Sequence, residues 1–158
     1  MSNTQSMCTS FMGELMTATH NFGTAPIRAA TTADTFKGAL YLASATLNAS
    51  TTAYSATGEV SGTGYSAGGV TVTNATAPTA TNSSTTAGVA YWTPSASLVY
   101  TSVTLTTAFD TVLIYNSTQS NKAVSVHTFG AQTITAGTFT LTMPSNTTST
   151  ALLRLATT

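Results

Sequence analysis

From Pro26 onward the chain alternates apolar and hydroxyl-bearing residues with a period of two, and this pattern sets the fold class before any other feature does. Side chains of an extended strand point alternately to opposite faces, so such alternation marks strands buried on one side. Phe36, Leu40 and Leu42 form a first run with Lys37 and Tyr41 between them, and Val70 with Val72 marks a second. Further runs are Val89 to Trp92, Leu98 to Thr106, Thr111 to Asn116, Ala123 to Phe129, Thr138 to Met143 and Ala151 to Ala156. Turn formers separate them: Pro94-Ser95, Asp110, Asn116 through Asn121, Gly130, Ala136-Gly137 and Pro144-Ser145-Asn146. About 7–9 short strands at this spacing predict a mainly β protein, an antiparallel β-sandwich of jelly-roll or immunoglobulin-like type. The crossover helices that a parallel sheet requires have no place in the pattern.

The first 25 residues follow another rule. Cys8, Phe11, Met12, Leu15 and Thr19 recur at spacings of three and four, which predicts one N-terminal amphipathic helix over about residues 5–19. Gly13 costs such a helix roughly 0.5–1 kcal/mol relative to Ala, so packing must hold it. The chain therefore divides into a helical segment, 1–25, and a β-sandwich, 26–158, within one structural domain. Phe11, Met12, Leu15 and Met16 are candidate interaction residues, because adaptable Met side chains suit irregular grooves on a sheet or a sister subunit.

Composition narrows the chemistry. Only 5% of the 158 residues are charged and the net charge is zero, against about 25% in ordinary domains. About a quarter are threonine, whose hydroxyl faces water while its β-branch favours the extended backbone. The four cations, Arg28, Lys37, Lys122 and Arg154, form no patch, which argues against nucleic acid as a partner. No run approaches a membrane span, and the opening residues Met1 to Thr4 do not read as a secretory leader. The single Cys8 reads as a small buried hydrophobe. Residues 74–87, nearly all Thr, Ala, Ser and Asn, read as an exposed loop or an edge strand.

Catalytic constellations are not evident. Gly62-Thr63-Gly64-Tyr65-Ser66-Ala67-Gly68-Gly69 leads into a strand and lacks the Lys of a phosphate loop. His20 and His127 fall in different elements and read as surface or packing residues. The acids Glu14, Asp34, Glu59 and Asp110 form no pair along the chain, although Glu59, among glycines, is placed to accept backbone N–H bonds and organise its loop. No metal site, no cofactor and no enzymatic activity are expected. Tyr65 remains a candidate contact residue on a strand-connecting loop.

Several segments together resemble a known family. They are Ser10-Phe11-Met12-Gly13-Glu14-Leu15, Thr35-Phe36-Lys37-Gly38-Ala39-Leu40-Tyr41, Gly58-Glu59-Val60-Ser61-Gly62-Thr63-Gly64-Tyr65 with Gly68-Gly69, Leu113-Ile114-Tyr115-Asn116-Ser117-Thr118, Asn121-Lys122-Ala123-Val124 and Gly137-Thr138-Phe139-Thr140-Leu141. The chain is similar over nearly its whole length to small Thr/Ala-rich virion structural proteins of tailed bacteriophages. That resemblance implies a non-enzymatic component of the virion, on the capsid surface or the tail. The expectation it supports is a capsid decoration or cement protein, or the base of a head fibre. Such a protein would associate with itself as a dimer or trimer and bind other virion proteins, the major capsid protein above all. The alternative is a tail- or fibre-associated module that adheres to a host-surface glycan through loop residues such as Tyr65.

Overall fold

The computed structural model describes residues 3–16, 19–20, 22, 33–73, 77–81 and 88–156, and within these the side chains of Thr9, Met12, Gly13 and Met16 are not described. In chain order the elements are β1 (Ser6–Met7), α1 (Thr9–Met16), β2 (Phe36–Leu42), β3 (Val70–Thr71), β4 (Thr79–Ala80), β5 (Val89–Trp92), β6 (Leu98–Asn116), β7 (Lys122–Leu141) and β8 (Leu153–Ala156). The protein is thus mainly β, and its strands pair antiparallel in two sheets, β1-β7-β6-β2-β3 and β4-β5-β8.

Two expectations need correction. The helix predicted over residues 5–19 is not formed over that span. Ser6–Met7 is a strand paired with Val126 and Ser125 of β7, and Cys8 donates its N–H to Val124 O at 3.1 Å. Among the described residues of that span only the two turns Thr9–Met16 are helical. A helix this short is marginal by itself, and pairing with an available sheet edge gives the preceding backbone better partners. The second correction concerns the C-terminal half, where four expected short strands fuse into two long ones. Asp110, Gly130 and Ala136-Gly137 lie inside strands rather than in turns. Ser102 and Ala136 take φ of 53° and 48°, and the β6–β7 register shifts repeatedly between Tyr100 and Thr111. These are bulges, which recruit the same residues and conformations as turns while pairing continues beyond them.

The bulges bend the hairpin back on itself. Phe129 and Phe139 are ten residues apart on β7, which a straight strand would separate by about 33 Å, yet their ring centroids lie 5.3 Å apart. Phe109 fills the inside of the bend, 6.0 Å from Phe129 and 5.2 Å from Phe139. The far half of the hairpin then lies over β2, where the Tyr100 hydroxyl donates to Gly38 O at 2.8 Å. Gly38 permits this approach, since a Cβ there would sit 2.6 Å from Leu98 Cδ1. Phe36, Leu40, Phe109, Val112, Leu113 and Ile114 are buried in the resulting core. Trp92 ties the smaller sheet to it, 4.8 Å from the ring of Phe22 and 6.1 Å from that of Phe36.

Of the predicted loop at 74–87, residues 77–81 are described and contain β4, an exposed edge strand paired with Ala90 and Tyr91. Its remaining residues lie outside the described ones, as do Arg28 and the expected segment boundary at residue 25.

Candidate functional site

The glycine-rich block is organised from Glu59, whose segment lies beside β2: Leu42 N–H bonds Gly58 O and Val60 N–H bonds Leu40 O. The Glu59 carboxylate accepts from the Tyr54 hydroxyl at 2.6 Å, the Tyr65 hydroxyl at 2.8 Å and the Gly68 N–H at 2.7 Å. Tyr65 Oη in turn accepts the Leu40 N–H at 3.0 Å, and the Tyr115 hydroxyl donates to Gly68 O at 2.8 Å. Gly69 has φ +72°, and a Cβ there would lie 1.8 Å from Gly38 O. The block is therefore a packing device. Burial, reinforced by the Glu59 charge, raises the Tyr41 and Tyr115 hydroxyls to about 12 and lifts those of Tyr54, Tyr65 and Tyr100 further. All five phenols keep their protons at neutral pH, as a donor to a carboxylate or carbonyl must. The loop-organising part expected of Glu59 is what its geometry shows.

A second polar cluster fastens the N-terminal segment to the β6–β7 turn. His20, buried at 5% exposure, lies between Glu14 Oε2 at 2.7 Å from Nε2 and Asn116 Nδ2 at 3.0 Å from Nδ1. Because an amide nitrogen only donates, Nδ1 accepts and Nε2–H donates to the carboxylate, the arrangement of a neutral imidazole. Burial lowers the His20 pKa despite Glu14, in agreement with that tautomer. Asn116 also donates to Asp34 Oδ2 at 2.8 Å and accepts the N–H groups of Thr118 and Gln119. Lys122 Nζ reaches Glu14 Oε1 at 2.6 Å. Burial pushes the Glu14 pKa up, but hydrogen bonds from Lys122 and His20 outweigh it and the net shift is downward. Acids and histidine that are scattered in sequence thus converge, and they do so as a bonded clamp.

Among the described residues His127 makes a Ser–His contact that invites a catalytic comparison, with Ser125 Oγ 2.8 Å from Nε2. Burial lowers its pKa to about 4, which leaves a neutral ring of weak basicity, far from the near-neutral value that suits a general base. Residues two apart on a strand share a face, so their proximity follows from β7 itself.

The predicted contact residues fare unequally. Phe11 is buried at 2% exposure with its ring 4.8 Å from His20 and 5.9 Å from Phe22, so it belongs to the protein's own core. Leu15 is half-buried and, with Phe11, lines an apolar groove against Trp92, Leu153 and Leu155. Met12 and Met16 lie on α1, their side chains outside the described ones. Tyr65 is not a free loop aromatic: its hydroxyl is committed to Glu59 and Leu40, and only its ring borders a shallow groove with Val99 and Thr101.

The surface missed by sequence reasoning is the outer edge of β7. Beyond the pairing of Ser125 and Val126 with β1, Thr128 to Leu141 pair only with β6 among the described residues. The cross-strand pairs there are lopsided. Leu98, Tyr100 and Leu105 on β6 are buried, whereas their partners Leu141, Phe139 and Ile134 on β7, though packed against the core, are only partly buried. Between Lys122 and Arg154 no Lys, Arg, Asp or Glu occurs, and that uncharged stretch was the available signal. Compared with known proteins, the chain matches no family model, no curated protein and no solved structure.

Proposed function

We propose that this protein is a non-enzymatic structural component of a tailed-phage virion, a capsid decoration or cement protein that associates with itself and binds the major capsid protein. The reading takes the folded-back β6–β7 hairpin as the two layers of a β-sandwich. The observation that carries it is the far half of that hairpin. Threonine covers its outer face and an apolar row stops at an edge that pairs with no further strand among the described residues, with no charge to repel neighbouring copies. A domain repeated densely in a lattice needs such a surface, and both polar clusters described above serve internal cohesion rather than substrate. The resemblance to phage virion proteins supports the same assignment.

Purified virions of the phage that carries the gene test it, by counting copies and locating them in an image reconstruction. Many copies distributed over capsid faces are expected. Absence from the particle, or a few copies at a single vertex, would overturn the proposal. Contacts made by threonine and apolar side chains also predict that binding to capsids changes little between low and moderate salt, because screening acts on charges.

A further inference from the structure

We infer that the outer edge of β7 is a self-association site, where Gly137–Leu141 pairs antiparallel with the same strand of a second copy about a two-fold axis. The inference deepens the self-association in the virion reading and rests on it for its biological setting. Three observations carry it. The first is the backbone: Phe139 to Leu141 pair in regular register with Leu98 to Tyr100, Gly137 follows across a bulge opposite Val103, and no described strand lies on the other side. An added strand would pair a row of edge N–H and C=O groups that otherwise turns to water.

The second is the state of the core along this edge. Leu141 opposite Leu98, Phe139 opposite Tyr100 and Ile134 opposite Leu105 pack against the core but are only partly buried, each beside a buried partner. Burial thus thins toward β7, and a second copy would withdraw the rest of these side chains from water, as obligate interfaces do. A two-stranded ribbon is also short of the three or more strands that stand alone in water, and pairing two copies would make four.

The third observation selects the occupant. Natural edges are blunted by Lys, Pro or other charges, and Ala123 to Met143 contains no Lys, Arg, Asp, Glu or Pro. A two-fold axis through Phe139 sets Phe139 against its own copy and Thr138 against Thr140 of the second copy, so any charge on this segment would face a like charge close by. Here only threonine and partly buried apolar side chains would meet. The bulge at Ala136 ends the regular run, which limits the contact to one short segment and closes the assembly as a dimer.

The test is the oligomeric state of the full chain by sedimentation equilibrium. The native protein should be a dimer, and a Thr138→Lys/Thr140→Lys variant should raise the dimer dissociation constant roughly tenfold or more with an unchanged circular dichroism spectrum. Thr106→Lys, exposed on β6 away from this edge, should leave the dimer intact. If the double variant fails to fold, single cysteines at Thr133, Thr135, Thr138 and Thr140 report instead. Oxidative cross-linking between copies should be strongest at Thr138 and Thr140, which flank the axis, and fall at Thr135 and Thr133, with native Cys8 buried and silent. A monomeric native protein, an oligomer indifferent to the lysines, or cross-linking without a peak would each overturn the inference. A native monomer that pairs this edge only with another virion protein would also overturn it, while leaving the virion reading intact, since that fails on absence from the particle.

Discussion

The two halves of the β6–β7 hairpin are built from the same residue types and meet different fates. Near its turn, every residue from Thr111 to Asn116 is buried, threonine and asparagine included, because β2 and β7 flank β6 and the glycine-rich block before β3 is bonded to it through Tyr115. In the far half, Val103 and Leu105 are buried while Thr101, Ser102 and Thr106 are exposed, and β7 alternates half-buried with exposed residues to its end. A period-two pattern therefore defines which side chains share a face. The number of neighbouring strands decides how far that face is withdrawn from water.

The largest test of this contrast is Gly69→Ala, which places a Cβ 1.8 Å from Gly38 O at a residue with φ +72°. It should destabilise by more than about 4 kcal/mol, the range of severe packing and backbone lesions, and leave little folded protein in a denaturant titration. Next come paired truncations. Leu113→Ala in the sealed half should cost about 2–5 kcal/mol, and Leu141→Ala in the open half only about 1 kcal/mol, because its side chain is incompletely withdrawn from water. Equal losses in a protein held monomeric would abolish the distinction between the halves. Glu59→Gln weakens three charge-assisted hydrogen bonds and should cost about 1–3 kcal/mol, with faster amide exchange at Gly68 as the local readout.

The smallest expected effect is on acidification. His20 and His127 both have pKa values lowered by burial, the latter to about 4 from 6.5, and that of Glu14 is lowered in net by Lys122 and His20 despite burial. For each group the unfolded chain binds protons more readily, so stability is fully present above the ordinary value and lost as pH falls. The histidine contribution should decline from about pH 6.5 downward toward 4 and the Glu14 contribution below about 4.5. Melting temperatures measured across that window should fall with pH, and His127→Gln should flatten the upper part of the curve. A native protein equally stable at pH 4 and pH 7 would contradict the neutral tautomer assigned to His20.

Much of the strand content was legible. Phe36 to Leu42, Val89 to Trp92 and the end of the chain fall where alternation and β-branching place them, and Glu59 among glycines pointed to a loop organised by a carboxylate. The turn reading failed at Gly130 and Ala136-Gly137 because a bulge and a turn require the same local conformations. They differ only in whether the partner strand continues, which is a fact about distant residues. The helix was overextended for a related reason. A stripe at spacings of three and four reports amphipathicity, whereas the choice between helix and strand at Ser6–Met7 depended on β7 offering an edge.

Sequence alone therefore determined local geometry and composition: extended alternating segments, a surface nearly without charge, and glycines where backbones must approach closely. Tertiary structure alone decided that two strands bend into opposing halves, that Glu14, His20, Asp34 and Asn116 meet, and that among the described residues the outer edge of β7 pairs with no strand beyond Val126. The physical reason is range. Propensity and periodicity act between residues a few positions apart, while burial and pairing are set by neighbours as distant as Gly38 and Tyr100, which no local pattern encodes.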